Sequence, residues 1–247
     1  MDIKQYLDST YLKTAAVAGL SEQENLEVAK ATVAEAIQED YKLVMIRPEV
    51  VKAAKEMVVN AGAVVLVGTV IDFPDGLCSL ENKLAEAQQA VEDGADELDF
   101  VVNYTAFKAG DAAIVKEEVL ACTRFALQQG KTAKWIIEVA ALTDMEIIKI
   151  SALVKNVVIS NFEEKDYNKV FVKSSTGFYK TEEGVPNGAT LHTIKLMLEN
   201  CFPLPVKAAG GVRTFEEAQQ MIQLGVKRIG TSSAKAIAEG DTAQGGY

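Results

Sequence analysis

The sequence predicts an α/β fold, a single (β/α)8 barrel of parallel strands. Three observations carry that prediction. Eight short apolar, β-branched runs recur along the chain, stretches of helical length and pattern separate them, and 247 residues suit one barrel of about 250.

The elements follow in order. Residues 6–9 form the first run, and Ser21 with Glu24 makes a capping box ahead of Leu26, Ala29, Val33 and Ile37 at helical spacing. The second run is Leu43–Ile46, followed by a helical stretch over 48–60; the third is 64–71, with a helix over 79–93. Residues 97–102 are the fourth run, the helix after it covers 111–129, and 134–139 is the fifth. Thr143 with Glu146 caps the next helix, and residues 154–169 read equally as its continuation or as a loop. The sixth, seventh and eighth runs are Val170–Lys173, 205–208 and Arg228–Thr231; helices over 191–200, from Thr214/Glu217 and over 233–238 complete the alternation. Several runs are apolar throughout, as parallel strands covered on both faces must be. No linker or low-complexity tract interrupts them, so residues 1–247 are expected to form one domain with a mobile tail at 240–247.

Net charge is −10 and no basic run exceeds two residues, which argues against nucleic-acid or anionic-membrane partners. A small phosphorylated metabolite remains compatible, because backbone N–H groups can hold its phosphate locally. Three scattered cysteines suit a reducing compartment, the N-terminus has no signal-like apolar core, and no run reaches the roughly 20 residues of a membrane span. A cytoplasmic protein is expected. With one histidine, His192, a zinc site is not expected, and His192 reads as a surface residue. Trp135 reads as core, and Met145, Met197 and Met221 as helix-packing residues.

A barrel displays its chemistry at the C-terminal ends of its strands. A charge inside an apolar run is costly unless it is paired or used. Asp8, Asp99, Glu138, Lys173 and Lys207 meet both conditions. Lysines closing VFVK and PVK, on adjacent strands, would share a pocket, and each would disfavour the other's charged form. An amine neutral near pH 7 can attack a carbonyl and form an imine. Taken singly, a strand-end lysine is as often a snorkelling surface residue. Glycine-bearing turns at 174–177, 210–211 and 230–233 follow the last three strands, where barrels commonly bind phosphate. Glu138 reads equally as a pocket residue or as a structural hydrogen-bonding group.

DELDFVVNY at 96–104, VKSSTGF at 172–178 and VKAAGGVRT at 206–214 resemble three signature segments of the deoxyribose-phosphate aldolases, and LDSTYLK at 7–13 resembles that family's N-terminal element. The resemblance implies that Lys173 forms the Schiff base, that Lys207 depresses its pKa, and that Asp99 is the acidic partner in proton transfer. It implies further that Asp8 and Thr10 lie beside Lys207 on the substrate side, and that Gly177, Gly210, Gly211, Gly230, Ser232 and Ser233 cradle the phosphate. Tyr247 would assist proton transfer to the enamine, or simply end a frayed tail. No cofactor or metal is implied, since the imine is itself the electron sink; the expected partners are a small sugar phosphate and other copies of the chain, as a homodimer or other homo-oligomer. Departures are Met45 where many relatives carry cysteine, EVAA at 138–141, and Ala-Ala after Lys207. The alternatives are another Schiff-base sugar-phosphate aldolase, a barrel isomerase or synthase, and a catalytically silent phosphate-binding barrel.

Overall fold

Eight parallel strands close on themselves in sequence order: β1 (Leu7–Tyr11), β2 (Leu43–Ile46), β3 (Leu66–Ile71), β4 (Glu97–Val101), β5 (Thr132–Ile136), β6 (Val170–Lys173), β7 (Val206–Ala209) and β8 (Arg228–Thr231), the last pairing with the first. This is the arrangement in a computed structural model that describes residues 2–240. Tyr247 and the rest of 241–247 lie outside the described residues. The helices are α1 (Ala15–Ala18), α2 (Glu22–Glu39), α3 (Val51–Asn60), α4 (Leu80–Glu92), α5 (Tyr104–Lys108), α6 (Ala112–Gln128), α7 (Asp144–Asn161), α8 (Leu191–Cys201), α9 (Phe215–Leu224) and α10 (Ala234–Glu239). No described helix is long and apolar enough to cross a membrane.

Capping chemistry sets the helix starts. Ser21/Glu24, Thr143/Glu146 and Thr214/Glu217 form reciprocal boxes that satisfy N–H groups with no partner inside the helix. Two faces of every strand are then filled differently, because side chains alternate in and out. Val44, Ile46, Val67, Leu98, Phe100, Trp135, Val172, Val206 and Ile229 point outward into the main core against the helices. Trp135 stacks on Phe100 at 5.1 Å, and its indole N–H donates to Thr123 Oγ1 at 2.9 Å. Inward, β2 and β3 contribute a small apolar cluster of Leu43, Met45 and Val70, joined by Leu12 from the loop after β1. A Cβ on Gly68 would sit 2.7 Å from Met45 Cε, so the Met45 and Leu43 side chains fill the space beside it.

Some boundaries differ from expectation for local reasons. Residues 3–6 form a 3-10 turn, so β1 begins at Leu7, and β3 begins only at Leu66 because Val64 is exposed. β5 ends at Ile136, two residues before Glu138, whose backbone is left-handed at φ 54°. The ambiguous 154–169 segment divides: α7 continues to Asn161, and a 3-10 stretch, Glu164–Lys169, leads into β6. Met197 and Met221 pack inward, whereas Met145 is 56% exposed in the first turn of α7 and packs no core. His192 is exposed and meets Asp144 at 2.8 Å.

Candidate active site

The register of β4 to β8 and β1 gathers the site. Lys173 pairs with Lys207, Asp99 with Lys134, and Lys207 with Arg228, so inward-facing charges from neighbouring strands come level. Asp99 is the hub. Its Oδ2 accepts from Lys173 Nζ at 2.8 Å and from Lys207 Nζ at 2.9 Å, and its Oδ1 accepts from Lys134 Nζ at 2.6 Å. Lys207 also meets Asp8 at 2.6 Å and Lys134 meets Glu97 at 2.5 Å. Arg228 ties the far side together, 2.5 Å from Asp8 and 3.0 Å from Glu97.

All seven groups are buried. Counted as ions they are four cations against three carboxylates, so the fully ionised cluster holds one surplus positive charge in a medium that penalises it. Lys173 holds its proton less tightly than an ordinary lysine. Burial pushes its amine down and Lys207 and Lys134 push it the same way, against Asp99, leaving it at about 8. Burial opposes ionisation of Asp99, but Lys134, Lys173 and Lys207 overcome it and hold the carboxyl well below its ordinary range. Asp8 is likewise held down by Arg228 and Lys207 against its burial. Lys134 is pulled the other way, its burial outweighed by Asp99 and Glu97, and keeps its charge. The cluster therefore brings the Lys173 amine down to about 8 while it holds Asp8 and Asp99 ionised and Lys134 protonated.

Lys173 is also the one lysine of the three that lines the pocket above the cluster, a space of about 530 Å³ including its open mouth. Thr10 and Leu12 line it from β1 and the loop beyond; Thr176, Gly177 and Asn187 from the loop after β6; Ala209 to Arg213 after β7; and Gly230, Thr231 and Ser232 after β8. The loops approach so closely that a Cβ on Gly188 would lie 2.4 Å from the Gly210 carbonyl oxygen. Gly210 is left-handed at φ 77°. Leu12 links this pocket to the inward apolar cluster of Leu43, Met45 and Val70, on which Phe73 and Phe178 pack, their rings edge to face at 5.1 Å. The lining thus combines glycine backbone with the apolar side chains of Leu12 and Val212.

The structure brings Lys173, Lys207 and Asp99 into direct contact, and it places Thr10, Gly177, Gly210, Gly211, Gly230 and Ser232 on the pocket wall. Asp8 lies beneath the pocket rather than on its wall, in contact with Lys207 and Arg228. Ser233 sits behind the wall at the start of α10, its N–H donating to Thr231 Oγ1. Sequence reading passed over Glu97, Lys134 and Arg228. Each opens one of the apolar runs rather than interrupting it, so the signal that singled out Asp99 was weaker for all three. Thr176, Asn187 and Arg213 carried no comparable signal, because loop packing alone brings them to the pocket.

Comparison with known proteins agrees with this geometry. The family model described as DeoC/LacD family aldolase matches residues 12–240. Deoxyribose-phosphate aldolase of Thermococcus gammatolerans is 40% identical over 241 residues, 97% of this chain and 96% of that protein. The Lactococcus lactis subsp. lactis enzyme of the same name is 38% identical over the whole of both chains. Among solved structures, an aldolase called QR15 superposes with a TM-score of 0.79 at 34% identity, covering 97% of this chain and 95% of its own. The deoxyribose phosphate aldolase of Aeropyrum pernix, described as tetrameric, gives 0.77 at 27% identity, covering 96% and 89%.

Proposed function

The chain belongs to the DeoC/LacD family of aldolases, and from that premise we infer that it acts as a deoxyribose-phosphate aldolase, reversibly cleaving 2-deoxy-D-ribose 5-phosphate to acetaldehyde and D-glyceraldehyde 3-phosphate through a Schiff base on Lys173. One observation carries the mechanism: the lysine of the buried cluster that lines the pocket, Lys173, is held in contact with Asp99 and brought down to about 8 by burial and the neighbouring lysines.

The neutral Lys173 amine adds to C1 of the open-chain sugar, forming a carbinolamine. Loss of water, with a proton delivered to the departing hydroxyl, leaves a protonated imine. Lys207 and Asp99 supply the hydrogen-bonded route for these protons, since Asp99 Oδ2 touches both amines. Acetaldehyde takes two carbons, so the bond that breaks is C2–C3. Its electron pair moves into the imine to give an enamine, the C3 hydroxyl gives up its proton, and glyceraldehyde 3-phosphate departs. Protonation at C2 and hydrolysis of the imine release acetaldehyde and regenerate the amine.

The glycine loops and the Leu12 end of the lining suit the two halves of this substrate. Phosphate lies against the glycine loops after β6, β7 and β8, where N–H groups can reach it without side-chain obstruction. The two-carbon donor lies toward Leu12 and the apolar sector. A donor bearing a further hydroxyl would bury it there without a partner, which favours acetaldehyde over hydroxylated ketone donors.

The test is intact mass after incubation with 2-deoxyribose 5-phosphate and borohydride. Wild type gains one stable adduct that maps to Lys173 and is absent from Lys173→Ala, and it releases acetaldehyde in the absence of borohydride. Binding of the sugar phosphate with neither adduct nor turnover would overturn the reading in favour of a silent barrel.

A further inference from the structure

Glu138 stands just past the end of β5 and takes no part in the charged cluster. Its backbone is left-handed at φ 54°, a conformation that is unfavourable for a non-glycine residue and that glycine would adopt freely. The flanking residues keep the ladder to β6: Ile137 N–H donates to Lys173 O at 3.0 Å and Val139 N–H to Ser174 O at 2.9 Å. The left-handed residue between them therefore turns its side chain into the loop that follows Lys173. There Oε2 accepts from Thr176 N–H at 3.1 Å and makes a short contact with Thr176 Oγ1, which in turn accepts from Phe178 N–H at 3.0 Å. The carboxyl is 1% exposed, its Oε1 has no hydrogen bond, and burial raises its pKa.

Three pins thus hold the Ser174–Phe178 turn. Ser174 Oγ donates to Ala209 O and accepts from Ala209 N–H, both at 2.9 Å, tying the start of the turn to β7. Asn187 Nδ2 donates to Gly177 O at 3.1 Å from outside. Glu138 holds the middle from β5. Between these pins lies Gly177, left-handed at φ 81° and on the pocket wall beside Gly210, to whose Cα a Cβ on Gly177 would come within 4.0 Å.

We propose that Glu138 is a positioning residue for phosphate recognition, a latch that acts through Thr176 to hold the Gly177 segment where its backbone faces the phosphate. The latch touches neither the reacting carbons nor the lysines. Its loss weakens the hold on the phosphoryl group and leaves imine chemistry on an unphosphorylated sugar in place. The inference rests on the aldolase reading for its kinetic arm. An independent arm, affinity for inorganic phosphate, keeps the two apart.

The experiment compares wild type, Glu138→Ala, Glu138→Gln, Thr176→Val and the Glu138→Ala/Thr176→Val double variant. Readouts are kcat and KM on 2-deoxyribose 5-phosphate and on 2-deoxyribose, and Kd for inorganic phosphate. Losing a properly aimed charge-assisted backbone hydrogen bond corresponds to a loss of affinity of roughly tenfold to a hundredfold. Glu138→Ala is therefore expected to raise KM for the phosphorylated sugar and Kd for phosphate by about that factor, with kcat and the 2-deoxyribose rate within about threefold of wild type. Gln can accept the same two hydrogen bonds through its amide oxygen and should restore both constants. The double variant should be no worse than the poorer single one, because both break one contact. Equal losses on both sugars, failure of Gln to rescue, or additive effects in the double variant would each overturn the proposal. Should Glu138→Ala fail to fold, the Gln and Val variants still decide, since only Val should lose phosphate affinity.

Discussion

Lys207→Met removes one cation from the buried cluster and leaves three cations facing three carboxylates, so a protonated Lys173 is no longer surplus. The size of the effect follows from geometry. Both amines touch Asp99 Oδ2, at 2.8 and 2.9 Å, so they lie no more than 5.7 Å apart. Two like charges at that separation repel by about 3 kcal/mol at an effective dielectric of about 20, equivalent to roughly two pH units. The Lys173 amine, at about 8 in the wild type, should move up towards 10. Asp99, freed from one of its partners, adds a pull in the same direction. The assay is the second-order rate of imine formation with acetaldehyde between pH 6 and 11, quenched by borohydride and read by intact mass; a simple aldehyde avoids titrating a substrate phosphate. The rate should rise with a midpoint near 8 in the wild type and near 10 in the variant. A lower plateau would report a further role of Lys207 in proton delivery and is separable from the midpoint. A variant midpoint at or below that of the wild type would refute the charge-balance argument.

Other consequences are testable as directly. Lys173 has a folded pKa below its unfolded one, so the unfolded chain binds the extra proton and stability should rise with pH between about 8 and 10.5; below that window the wild type carries the full penalty. Lys173→Met should therefore be more stable at pH 7 by up to about 3 kcal/mol, an advantage that shrinks above pH 8, measured by urea unfolding followed at the single tryptophan, Trp135. Gly188→Ala would put a Cβ 2.4 Å from Gly210 O, where only backbone can give way. A cost of roughly 1–3 kcal/mol and a raised KM for the phosphorylated sugar are expected, read by Tm and kinetics together. Lys83 is a buried lysine outside that cluster, 3.2 Å from Asp72, 3.1 Å from Glu118 and donating to Val101 O at 2.8 Å. Lys83→Met strands two buried carboxyls and should cost about 3–5 kcal/mol. Glu118, already raised by burial, would rise further without Lys83, so the loss should be smaller at pH 5.5 than at pH 8; an equal loss at both would show that this carboxyl is not carrying the effect.

The sequence by itself determined the barrel, the order of its strands and the identity of the central trio. Apolar alternation, capping boxes and charges within apolar runs are local signals, and Lys173, Lys207 and Asp99 each stand as a charge within or at the end of such a run. It determined the count of the charges as well, though reading them required knowing which ones meet. Register decided that. Setting Lys173 level with Lys207 and Lys134 level with Asp99 turns seven scattered residues into one cluster with a single surplus proton. Thr176, Asn187 and Arg213 reach the pocket, and Asp8 sinks below it, through long-range packing that no local pattern encodes. Glu138 shows the division most sharply. Its strand-end position is visible in the sequence, but the left-handed turn that aims its carboxyl at Thr176 exists only because β6 holds the residues on either side. Sequence places charges along a strand, whereas the energy of a buried charge depends on its neighbours within a few ångströms, and those come from other strands.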